Sequence, residues 1–150
     1  MRSITSCRRI FWGFLALALF FTPLVRAEVI NVDNAALKQL IADGVPVVDI
    51  RRVDEWQQTG IIKDSHLITL PVNKEGNAYD IAAWHDAFSK VIQPSQPVII
   101  ICRTGNRSKP VTSYLDQRAG YTKVYNVTEG IARWIKDGNP TVPYQEKPTP

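Results

Sequence analysis

From residue 28 onward, short apolar runs alternate with segments whose apolar residues recur every three or four positions. That alternation of periods predicts strands alternating with helices. Residues 29–32 read as a short strand. Asn34 is expected to cap a helix whose apolar face is Leu37, Leu40 and Ile41 and which stops near Gly44. Pro46 opens the run Val47, Val48, Asp49, Ile50, which suits a buried parallel strand. A short helix is expected over 54–58 and a strand over 66–70. Residues 80–91 carry the clearest amphipathic pattern, with Ile81, Trp84, Ala87, Phe88 and Val91 on one side. Residues 98–101 are the most apolar strand and belong in the middle of a sheet. A helix over 107–118 closes at Gly120, a strand covers 123–126, and a last helix covers 129–136 and ends at Gly138. The proline-rich tail from Asn139 reads as loosely ordered.

This order predicts an α/β domain with a mainly parallel five-stranded sheet and helices on both faces. In such sheets ligands bind beyond the carboxyl ends of the strands. No internal repeat or low-complexity segment competes with this reading.

The first 27 residues follow a different pattern. Arg2, Arg8 and Arg9 precede an almost wholly apolar stretch from Ile10 to Leu24, and Val25-Arg26-Ala27 offers a cut site after Ala27. This is the layout of a secretory signal peptide, with an uncleaved membrane anchor as the alternative. The expected organisation is therefore a signal over 1–27, a domain over 28–143 and a tail over 144–150. Export places the mature protein in the periplasm or outside the cell, without stable membrane association once the signal is removed. It also changes the charge. The chain has 18 basic and 14 acidic residues, and four arginines but no acids lie in the signal, so the remainder carries 14 of each. The computed pI near 9.2 belongs to the targeting segment, and nucleic acid is not an expected partner. The mature length suits one domain with one core, expected as a monomer.

With Cys7 in the signal, Cys102 is the sole cysteine of the mature chain and has no intrachain disulfide partner. It sits where the apolar run Val98–Ile101 ends, and Arg103, Thr104, Gly105, Asn106, Arg107 and Ser108 lead into the next helix. A cysteine reacts as its thiolate. Three features favour that anion: N–H groups at the coming helix start, Gly105 permitting a tight curl that aims N–H groups inward, and the charges of Arg103 and Arg107. An inert cysteine at a strand end would leave this loop composition unexplained.

Cys102-Arg103-Thr104-Gly105-Asn106-Arg107-Ser108 resembles the active-site loop of the rhodanese family, a cysteine followed by four residues, an arginine, and Ser or Thr. Val47-Val48-Asp49-Ile50-Arg51 with Asp54-Glu55-Trp56 is similar to a second family segment. Val124 to Gly130, with Trp134, Gly138 and Pro140, is similar to a third. The resemblance spans about residues 29–143. Two departures lie outside the cysteine loop: Gly60-Ile61-Ile62-Lys63-Asp64-Ser65 replaces a Gly-His-Ile-x-Gly-Ala segment, and Glu129 replaces the first glycine of a Gly-Gly pair.

The resemblance implies a rhodanese-like fold and a thiosulfate sulfurtransferase. Cys102 would take sulfur from thiosulfate as a persulfide and pass it to cyanide or a thiol. The backbone from Arg103 to Ser108 would hold the persulfide, and Arg103 and Arg107 the departing sulfite. No metal or organic cofactor is implied. The resemblance also places Asp49 and Arg51 in a network near the loop, and the residues themselves favour an ion pair that braces it over a direct catalytic role. The alternatives are a persulfide carrier without significant turnover, and a related phosphatase or arsenate reductase. The phosphatases use a loop one residue longer, so four residues between Cys102 and Arg107 favour sulfur.

The two histidines form no Cys/His cluster with metal-ligand spacing. His66 begins a strand, and His85 is expected at the surface. Trp56, Trp84 and Trp134 are expected in the core.

Overall fold

A computed structural model describes residues 28–146. The signal peptide expected over 1–27, with Cys7, and the end of the tail over 147–150 lie outside the described residues. The elements run β1 (Glu28–Val32), α1 (Asn34–Ala42), β2 (Val47–Asp49), α2 (Val53–Thr59), β3 (His66–Leu67), α3 (Ile81–Phe88), β4 (Val98–Ile101), α4 (Ser108–Gln117), β5 (Lys123–Val127) and α5 (Gly130–Lys136). The five strands form one sheet in the order β1-β5-β4-β2-β3, and every pair is parallel. The α/β architecture read from the alternation is the one observed, and β4 lies at its centre.

Strand side chains alternate between faces, and β4 shows the consequence. Val98, Ile100 and Cys102 join one core with Trp84 and Phe88 of α3 and Val111 and Leu115 of α4. Ile99 and Ile101 join the other, with Leu37 of α1 and Ile131 and Trp134 of α5. Cys102 thus continues the apolar period of β4, and that is why its side chain is buried.

Several expected boundaries shift, each for a local reason. Asp33, not Asn34, caps α1, accepting the Ala36 N–H at 2.9 Å. Asn34 instead donates to Asp137 at the far end of α5, 2.8 Å away. Helix α3 stops at Phe88, because the N–H groups of both Val91 and Ile92 turn back to the Phe88 carbonyl. That tighter turn leaves Val91 exposed and buries Ile92. Strand β3 is two residues long, yet Ile68 and Leu70 still donate to Asp49 and Ile50 of the neighbouring chain segment.

The expectation of a loose chain from Asn139 is corrected over its described part. Val142 and Ile61 exchange backbone hydrogen bonds of 2.8 and 2.9 Å. The Trp134 indole donates to the Pro140 carbonyl at 2.9 Å, and the Tyr144 ring packs 5.5 Å from that of Trp56. His85, expected at the surface, is half-buried with its ring 5.6 Å from Tyr114 and 5.9 Å from Tyr121. The three tryptophans are core residues, as expected.

Candidate active site

Cys102 leaves β4 at the carboxyl edge of the sheet and has no exposed surface. Its sulfur accepts the Gly105 N–H at 3.1 Å, and its thiol reaches Ser108 Oγ, the first residue of α4, at 3.6 Å. Ser108 Oγ in turn donates to the Gly105 carbonyl at 3.1 Å. The curl through Gly105 therefore wraps the sulfur, with the start of α4 beside it.

Two glycines make that curl possible. Gly105 adopts φ of 87°, and a side chain there would run into the Thr128 carbonyl. Gly130 adopts φ of 60°, and a side chain there would run into the Arg103 carbonyl. This close approach lets α5 hold the loop. Ile131 N–H donates to the Cys102 carbonyl at 2.9 Å and Ala132 N–H to the Arg103 carbonyl at 3.0 Å.

Asp49 and Arg51 form a buried ion pair of 2.7 Å. Arg51 also donates to the carbonyls of Glu55 (3.3 Å) and Gly60 (2.8 Å) and to Thr59 Oγ1 (2.8 Å). The pair thus ties the end of β2 to the whole of α2. Neither residue hydrogen-bonds the cysteine loop directly. The connection runs through Glu55, which in the sequence stands out only as part of the Asp54-Glu55-Trp56 motif. Both Glu55 carboxylate oxygens bind Arg107, at 2.6 and 2.7 Å, and one of them also accepts the Arg52 N–H at 3.1 Å. Burial pushes the Glu55 carboxyl up, but the Arg107 fork, the Arg52 N–H and the two positive charges together hold it below its ordinary value. Glu55 likewise raises Arg107, whose burial acts in the opposite direction.

Arg107, expected to hold the departing sulfite, has its two outer nitrogens engaged by Glu55. Arg103 is exposed and makes no ion pair among the described residues. Thr104 and Asn106 are exposed as well, and their side chains make no hydrogen bond among the described residues. Tyr79, in the loop before α3, is 46 % exposed. No histidine bonds Cys102, whose polar partners among the described residues are Gly105 and Ser108.

A cleft of about 230 Å³ beside the loop is bounded by Arg103, Glu55, Arg51, Thr59, Ile131 and Ile135. Two larger clefts, about 520 Å³ near Trp56 and Tyr144 and about 540 Å³ near Ile62 and Trp134, include no residue of the cysteine loop. Of the three, the smallest is the one lined by a residue of that loop, Arg103.

Comparison with known proteins agrees with this geometry. The family model of the Rhodanese-like domain matches residues 33–137. The chain belongs to the rhodanese-like family. Thiosulfate sulfurtransferase 18 of Arabidopsis thaliana is 27% identical over 124 residues, covering 81% of this chain and 90% of that protein. A sulfurtransferase of Allochromatium vinosum is 33% identical over 119 residues, covering 75% of this chain and 94% of that protein. The crystal structure of a rhodanese-related protein from Thermoplasma volcanium superposes with a TM-score of 0.59 at 27% identity, covering 75% of this chain and 97% of that one. The rhodanese-like chain described here thus stands among single-domain sulfurtransferases.

Proposed function

We propose that this rhodanese-like protein is a thiosulfate sulfurtransferase that works through a persulfide on Cys102. The observation that carries the proposal is the Cys102 sulfur held by the Gly105 N–H at the start of α4. An anion at that point meets a backbone donor and the positive end of a helix. The Cys102 thiolate attacks the outer sulfur of thiosulfate. A bond forms between the two sulfurs, the thiosulfate S–S bond breaks, and sulfite leaves with the electron pair. A thiol or cyanide then takes the outer sulfur from Cys102 and regenerates the thiolate. This is double-displacement covalent catalysis. Exposed Arg103 meets the incoming anion, and loop N–H groups hold the charge that develops on the transferred sulfur. Cys102 is fully buried, so the loop must open around the sulfur before the donor makes contact.

The reading needs no metal or organic cofactor and no nucleic-acid partner. It has the protein acting as an exported monomer cut after Ala27, which N-terminal sequencing of the secreted form would check. The chemistry is tested by intact mass after thiosulfate treatment. A gain of one sulfur atom, lost on adding cyanide and absent in Cys102→Ser, is the expected result. Gain without turnover would make the protein a persulfide carrier. Phosphate-ester hydrolysis or arsenate reduction without any gain would overturn the reading.

A further inference from the structure

The mouth of the site is less positive than its arginines suggest. Arg51 is paired with Asp49 at 2.7 Å, Arg52 with Asp54 at 2.9 Å, and Arg107 with Glu55 at 2.6 Å. Arg103 and Lys109 are exposed and make no ion pair among the described residues. Arg107 belongs to the loop that carries Cys102, five residues after it, and is the cation of that loop whose fork is already filled. Its partner cancels it where the donor must arrive.

We propose that Glu55 is the specificity-determining residue for the sulfur donor: by occupying the fork of Arg107 it disfavours doubly charged oxyanions relative to singly charged hydropersulfides. The proposal rests on the sulfur-transfer reading of Cys102.

A guanidinium binds a carboxylate or an oxyanion through the same paired N–H groups. Glu55 already fills that geometry with both oxygens, and the pair is largely shielded, with Arg107 13% and Glu55 7% exposed at the side chain. The sulfonate end of thiosulfate would have to displace Glu55, or sit beside its carboxylate and be repelled. Glu55 is not free to swing away. The Arg52 N–H holds one of its oxygens at 3.1 Å, and Arg51 bonds the backbone of its helix at Glu55 and Gly60. A hydropersulfide R–S–S⁻ carries its charge on the sulfur to be transferred and brings no second anionic group. Its transfer balances in the same way: the Cys102 sulfur bonds to the outer sulfur, the donor S–S bond breaks, and R–S⁻ leaves with the electron pair.

The experiment compares kcat and KM for thiosulfate and for 2-hydroxyethyl hydropersulfide, with cyanide as acceptor, in the wild type and in Glu55→Gln. The readout is the thiosulfate-to-hydropersulfide ratio of kcat/KM. Glu55→Gln should raise it about tenfold, the scale of one partly buried charge interaction, through a lower KM for thiosulfate. Loss of a purely structural brace would lower both donors together and leave the ratio unchanged, which would overturn the proposal; a fall in the ratio would overturn it too. If Glu55→Gln does not fold, Glu55→Ala removes the same charge and carries the same expectation. Intact mass separates the two layers of argument. If neither donor adds sulfur to wild-type Cys102, the sulfur-transfer reading itself fails. If sulfur is added and the ratio stays constant, only the role of Glu55 fails.

Discussion

The segments that follow β2 and β4 leave neighbouring parallel strands at the same edge of the sheet, where Asp49 is in register with Ile101. They are built in opposite ways. After β2, a buried charge pair satisfies itself, and Arg51 spends its remaining donors on the backbone and Thr59 of α2. After β4, a buried thiol has one N–H and one hydroxyl for company. Under the proposed function, the first arrangement is a brace and the second is a reactive centre. Glu55 and Arg107 join them, so the rigidity of one reaches the other. A reactive residue needs a position held by others, because groups that fully satisfied the sulfur would also quench it.

The largest test of this contrast is on activity. Cys102→Ser should abolish persulfide formation and lower turnover by at least about a thousandfold. Its thermal midpoint should stay close to wild type, since the slightly smaller hydroxyl still has the Gly105 N–H and Ser108 Oγ as partners. A melting temperature that collapsed with the activity would mean that the β4 loop is a brace as well.

The mirror experiment is on stability. Asp49→Ala leaves Arg51 charged and buried without its carboxylate, and should cost about 3–5 kcal/mol in denaturant unfolding. A loss below about 1 kcal/mol would show that α2 holds itself, and the contrast would fail. Gly105→Ala comes next. The positive φ and the collision with the Thr128 carbonyl should cost about 1–3 kcal/mol, and sulfur loading should suffer more than the fold.

Acid sharpens the link between the two regions. The Glu55 carboxyl sits below its ordinary value near 4.5, so its ion pair stabilises the protein fully above that pH. The contribution falls away as pH drops from about 4.5 through the lower folded value. Chemical denaturation across that range should show a steeper acid loss in the wild type than in Glu55→Gln, and parallel curves would remove Glu55 from the link. The smallest effect is expected far from both loops. Tyr144→Ala should cost about 1 kcal/mol through its lost packing on Trp56 and leave sulfur loading unchanged.

Local patterns carried most of the fold. The run Val98–Ile101 was legible as a central strand because β4 is buried on both faces and shows no polar position. The helix over 80–91 was legible in type but not in length, because the turn after Phe88 swaps Val91 for Ile92 and both are apolar. The cap of α1 was missed by one position because Asp33 and Asn34 are both good caps, and backbone angles chose between them. The tail was misread because proline content signals an irregular chain whether or not it is tied down, and the ties to Ile61 and Trp56 are distant in sequence.

The candidate site divides along the same line. The sequence by itself determined the chemistry available: one thiol after a buried strand, a glycine to curl the loop, a serine to open the helix, and an acid–arginine pair two residues apart. Each is a matter of residue type and short spacing, which local sterics and hydrogen bonding convert directly into structure. The tertiary structure alone decided how the charges are spent. Arg107 finds Glu55 from 52 positions away, and α5 bonds the backbone of Cys102 and Arg103 from nearly thirty. Such pairings depend on which strands become neighbours, and a parallel sheet brings together residues that no local pattern connects.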